Sequence, residues 1–135
     1  MAVEVRRKQG LKMAQTLAVG PATFVVDGPA RDGGNDAGPS SHDLYDAALA
    51  ACQALTVMWY ANRKHLPVED IAASVERDDS HERDGVYALT SRIRIGGPLT
   101  DAQIAELRSV AEKCPIHRLM TKVRTTIRTE VERLT

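Results

Sequence analysis

The stretch from Ser40 to Leu66 constrains this chain more than any other part of it. Apolar residues recur at Leu44, Ala48, Ala51, Leu55, Met58 and Trp59, the three-four spacing of an amphipathic helix. Ser40 stands where such a helix starts. Asp43 follows at the third position, a capping-box-like arrangement that pairs the first free amides. A proline disfavours helical backbone at the residue before it, so Pro67 places the end near Arg63 to Leu66. The predicted helix is the longest element and should be central. Alanine is dense at 47–51, which lets another element approach its backbone closely.

The flanking sequence reads as β. Segments 2–8, 11–18 and Ala22 to Val26 are short runs broken by Gly10 and Gly20-Pro21, which predicts an antiparallel meander. Ile71, Ala73 and Val75 alternate with polar residues, as do Tyr87, Leu89, Ser91, Ile93 and Ile95. The polar run DDSHERDG between them predicts a β-hairpin with a long loop, ended by Gly96-Gly97-Pro98. Thr100 and Gln103 form a capping box for a second helix, with Leu99 and Ile104 at the staple positions. Ile104, Leu107, Ala111 and Cys114 share a face of it, and Pro115 stops it. Val123, Thr125, Ile127, Thr129 and Val131 alternate with charged and polar residues, which predicts a last strand with one wet face. The order strands, long helix, two strands, helix, strand is α+β, and residues 1–135 fit one domain. Asp27 to Pro39 is a long loop dense in Gly, Pro, Asp and Asn. A loop of that length is either a mobile connection or a functional segment.

Composition excludes several classes. With 43% hydrophobic and 27% charged residues the chain is neither disordered nor membrane-spanning. Its formal net charge is zero, so no basic surface points to nucleic acid or to a membrane surface. Only 4% of residues are aromatic, too few for base-stacking platforms. The opening MAVEVRRKQG lacks the apolar region of a secretion signal, so a cytoplasmic location is expected.

The chemistry rests with two cysteines, 62 positions apart. Two soft ligands so far apart do not make a metal site. Cys52 lies within the long helix, in Ala-Ala-Leu-Ala-Ala-Cys-Gln-Ala-Leu, where small neighbours leave room beside the sulfur. Cys114 precedes Pro115, and proline favours the first position of a helix, so Ile116 to Met120 can begin a new turn with Cys114 at its N-cap. A sulfur there meets free N–H groups and the positive helix end, which favour thiolate; His117 and Arg118 can add positive charge. The competing reading of each cysteine is a buried apolar thiol, and both stay open. Two thiols make chemical sense together. A thiolate attacks a peroxide and becomes a sulfenic acid, a second thiol condenses with it to a disulfide, and an external dithiol restores the pair.

GGNDAGPSSHDLYDAALAACQALTVMWYA, together with CPIHRLM, resembles the OsmC/Ohr family, and within it the general OsmC-like branch. The resemblance covers most of the chain, most strongly residues 33–77 and 99–131. It implies an OsmC-like fold: antiparallel sheets packed around a long central helix, in an intertwined homodimer whose sites are built from both subunits. It implies that Cys52 is the peroxidatic thiol and Cys114 the resolving one. The implied activity is reduction of organic hydroperoxides or hydrogen peroxide in oxidative stress defence. A small dithiol or lipoyl-type reductant supplies the electrons, and neither metal nor organic cofactor is needed.

The sequence departs from the peroxidase pattern at one place. Pro-Glu in the segment leading into the long helix is replaced by Ser41-His42. The family's glutamate helps hold a catalytic arginine over the thiolate; His42 can lower the thiol pKa in its own way, but when protonated it cannot pair with an arginine. Asp43 is the nearby carboxylate, one position off the pattern. Arg6, Arg7 and Arg31 are the candidate arginines, and His117 a candidate partner of the second thiol; none of the arginines carries a motif, and each reads first as a solvated surface charge. The missing glutamate leaves open a second function, a non-enzymatic redox-responsive or small-ligand-binding dimer.

Overall fold

A computed structural model of the chain describes residues 2–134. In chain order it contains β1 (Val3–Arg7), β2 (Gln15–Val19), β3 (Ala22–Val26), α1 (Ser41–Arg63), β4 (Asp70–Asp78), β5 (Ala88–Gly96), α2 (Asp101–Ala111) and α3 (Pro115–Thr121). Single 3₁₀ turns, Ala30–Asp32 and Glu82–Asp84, lie within the loops. Strands β1, β2 and β3 form one sheet, and β4 pairs with β5 in another. The α+β class expected from the pattern is the observed one. Among the described residues no helix is long and apolar enough to cross a membrane.

The chain forms two compact units. The first runs through Ala48 and includes Val75–Thr90; the second takes Leu49–Ser74 and the segment from Ser91 onward.

In the first unit the predicted meander forms, with β1 antiparallel to β2 and β2 antiparallel to β3. Leu17, paired with both Val5 and Phe24, is the buried residue of the middle strand. The β2–β3 turn is the two-residue Gly20-Pro21, and Gly20 takes φ 55, a conformation that suits glycine. The following loop is tied internally. The Asp27 main-chain N–H donates to Pro39 O at 3.1 Å. Its buried carboxylate accepts the amides of Gly28 at 2.8 Å, Asn35 at 2.9 Å and Ala37 at 3.1 Å. Burial acts to raise the pKa of Asp27, but the three amide bonds together outweigh it and hold the carboxyl below its ordinary value. Gly34 must be glycine because a Cβ there would sit 1.9 Å from Gly28 O.

The start of α1 matches its sequence signature. Ser40 Oγ accepts the Asp43 amide at 3.1 Å, and Asp43 Oδ2 accepts the Ser40 amide at 2.9 Å.

In the second unit Val57 and Ala61 of α1 pack with Leu107 and Ala111 of α2, all four buried. Each pair is spaced four residues apart and so presents one helical stripe. Tyr60, Leu66, Ile71, Ile93, Ile95 and Leu99 close around them. The packed stripe of α1 therefore differs from the predicted one: Leu55 and Trp59 are 70% and 60% exposed. The helix is apolar on more than one side, and its smaller residues let α2 approach. Thr100 and Gln103 form the predicted capping box of α2.

The predicted C-terminal strand is absent. Residues 123–134 carry no strand and are exposed, with Ile127 at 84% and Val131 at 92%. Alternation alone does not make a strand; the backbone also needs a neighbour for its hydrogen bonds, and none of the described residues supplies it.

Candidate active site

In the second unit Pro115 supplies the first residue of α3 and Cys114 its N-cap, in the extended conformation of φ −65 and ψ 149. The Cys114 sulfur accepts the main-chain N–H of His117 at 3.3 Å. That sulfur is fully buried, whereas Cys52 is half-buried. Both cysteines are free thiols, and the Cys52 sulfur lies 3.9 Å from Thr56 Oγ1, one helical turn further along α1.

The electrostatics reverse one expectation. The helix start was predicted to favour thiolate at Cys114. Burial instead raises its pKa above the ordinary thiol value and outweighs the His117 amide, which acts to lower it. The neighbouring Cys52 side chain acts in the same direction. The two thiols are therefore close enough to act on each other.

The first unit contains a separate charged cluster. Asp43 and Asp46, one turn apart on α1, both bind the guanidinium of Arg77 on β4: Arg77 Nη2 donates to Asp43 and Arg77 Nε to Asp46. Asp46 is buried, and its other oxygen accepts the Tyr87 hydroxyl at 2.7 Å. The Asp43 pKa is lowered, first by the Ser40 amide and then by Arg77. The Arg77 pKa is raised by Asp43 and then Asp46. Burial, with Asp46, pushes the Tyr87 hydroxyl up to about 12. His42 Nε2 lies 2.7 Å from Glu82 Oε1, and its ring centroid is 5.9 Å from that of Tyr87. Ser41, His42, Tyr45, Glu82 and Tyr87 line a cavity of about 390 Å³.

The residues singled out from sequence are divided between the two units. Cys52, Cys114 and the His117 amide gather in the second unit. In the first, Asp43 binds an arginine, but the arginine is Arg77 rather than Arg6, Arg7 or Arg31. Arg7 donates to Leu11 O, Arg31 lies 4.0 Å from Asp32 with its side chain 82% exposed, and Arg6 is exposed on β1. His42 meets Glu82. A signal for Arg77 was present in the sequence. It continues the alternation of Ile71, Ala73 and Val75, so it falls on the inward parity of β4. A guanidinium on that face needs carboxylates.

The fold has clear relatives among solved structures. An OsmC-like protein from Mycoplasma pneumoniae superposes with a TM-score of 0.71 at 19% identity, covering 90% of this chain and 87% of that one. An organic hydroperoxide resistance protein OsmC from Legionella pneumophila gives 0.66 at 19% identity and 90% of each chain. The organic hydroperoxide resistance protein OhrB of Bacillus subtilis gives 0.58 at 21%, covering 90% and 92%. No curated protein matches the chain in sequence. The family model described as OsmC-like protein matches residues 33–130. The chain belongs to the OsmC-like protein family.

Proposed function

We propose that this protein is a thiol-dependent peroxidase that reduces organic hydroperoxides or hydrogen peroxide in oxidative stress defence. The observation that carries the reading is the unequal pair of thiols: Cys52 half-buried, and Cys114 fully buried with its pKa raised by that burial. The Cys52 thiolate attacks the O–O bond of the hydroperoxide. One oxygen stays on sulfur as the sulfenic acid, and the other leaves as alkoxide and takes a proton to become the alcohol. Cys114 then attacks the Cys52 sulfenic acid, forming the disulfide and releasing water. A small dithiol or lipoyl-type reductant reduces the disulfide and is itself oxidised.

Assembly as a homodimer belongs to the same proposal. Exposed Leu55 and Trp59 on α1, and exposed Ile127 and Val131 in a segment with no strand partner among the described residues, support it. A cytoplasmic location accords with two free thiols.

The second reading is a redox-responsive or ligand-binding dimer without fast turnover. It draws on Ser41-His42 in place of Pro-Glu and on Arg77, whose guanidinium is already held by two aspartates. Single-turnover oxidation of the reduced protein by cumene hydroperoxide separates the two. Loss of two thiols per chain far faster than free cysteine reacts supports the peroxidase. Loss no faster than free cysteine supports the second reading.

A further inference from the structure

The second unit holds a cavity of about 380 Å³ that neither cysteine lines. Ile93 and Ile95 of β5, Leu107 of α2 and Gln53 of α1 form its wall, with Arg92, Arg108 and the carboxylate of Glu112 also lining it. Gln53 is only 3% exposed, and its Oε1 has no hydrogen-bond partner among the described residues. Buried carbonyl oxygens are almost always paired, and an unpaired one is costly. The terminal amide torsion of glutamine is soft, so a small rotation can turn the oxygen to a donor arriving from the cavity. Arg108 lies 3.5 Å from Glu112 on its own helix, whereas Arg92 has no ion-pair partner among the described residues.

We propose that this cavity binds a small organic anion with an apolar body and one hydrogen-bond donor. The apolar body packs on Ile93, Ile95 and Ile104, the carboxylate meets Arg92, and an N–H or O–H donates to Gln53 Oε1. Apolar walls with a few convergent polar groups, in a volume of this size, are the usual form of a small-molecule site. The inference is separate from the thiol chemistry: its readout is binding, whether or not the protein consumes peroxide.

The test uses the full chain with labelled isoleucine and leucine methyls, titrated with indole-3-acetate and followed by NMR. Saturable shifts of the Ile93, Ile95 and Ile104 methyls are expected. 1-Methylindole-3-acetate, which lacks the N–H, should bind at least about tenfold more weakly, because a site built around an acceptor rejects a ligand without the donor. Gln53→Leu should abolish that discrimination, and Arg92→Gln should weaken the acid but not 3-methylindole. If Gln53→Leu does not fold, the comparison of the two acids on the unaltered protein still decides. The proposal is overturned if those methyls show no saturable shift up to the probe's solubility, or if the methylated acid binds equally well. It is also overturned by NOEs from Ile127 or Val131 to Ile93, since the chain itself would then fill the cavity.

Discussion

Cys114 accepts the main-chain N–H of His117 at 3.3 Å, and this bond does not make it a thiolate. Burial dominates and holds the thiol above its ordinary pKa. A raised folded-state value means that the neutral thiol stabilises the fold below the ordinary pKa, and that this contribution is lost as pH rises through the raised value. At neutral pH, iodoacetamide should therefore modify Cys52 before Cys114. Cys114 should become reactive only at pH above the ordinary thiol value or on unfolding. Peptide mapping of the alkylated protein checks the order, and early modification of Cys114 would contradict it.

The two thiols have unequal roles. Cys52→Ser should abolish peroxide consumption. Cys114→Ser should leave the first oxidation intact and let Cys52 pass to sulfinic and sulfonic acids. Intact mass after peroxide treatment reads this directly as added oxygens in Cys114→Ser and none at position 52 in Cys52→Ser. Equal, mild effects of both changes would make the thiols structural.

Arg77 satisfies Asp46, which is buried and, among the described residues, otherwise bound only by Tyr87. Arg77→Met leaves that carboxylate short of a partner and should cost about 2 kcal/mol in urea unfolding. Tyr87→Phe removes a single hydrogen bond and should cost about 1 kcal/mol. The two effects should not add, since both act on one carboxylate. A loss below about 0.5 kcal/mol for Arg77→Met would place the cluster among ordinary surface ion pairs.

Asp27 gives the loop an acid limit. Its folded pKa lies below the ordinary 3.8, so its contribution is present above that value and lost as pH falls through the lower folded value. The amide resonances of Asn35 and Ala37 should titrate together at a pH below 3.8. Asp27→Asn should remove that titration. A midpoint at or above 3.8 in the unaltered protein would contradict the amide cage.

Local chemistry made much of this fold legible in the sequence. Ser40 with Asp43 and Thr100 with Gln103 announced both helix starts because their side chains pair with nearby backbone. Cys114 before Pro115 announced a third. What the sequence did not convey depends on partners distant in the chain. Val123 to Val131 alternates like a strand, yet a strand exists only where another edge accepts it. Leu55 and Trp59 looked like core, but helix periodicity cannot rank two apolar stripes; the close approach of Leu107 and Ala111 selects Val57 and Ala61. The two readings of Cys114, a capped thiolate and a buried apolar thiol, stayed open for a related reason. Its helix cap is local and visible, while the burial that outweighs it comes from the assembled fold.

The most direct measurement is non-reducing peptide mapping of the reduced protein after one equivalent of cumene hydroperoxide. One intrachain disulfide between Cys52 and Cys114 is expected, with both free thiols lost from each chain. Recovery of both cysteines as thiols would contradict paired redox chemistry, as would Cys52 carried to higher oxides while Cys114 stays free.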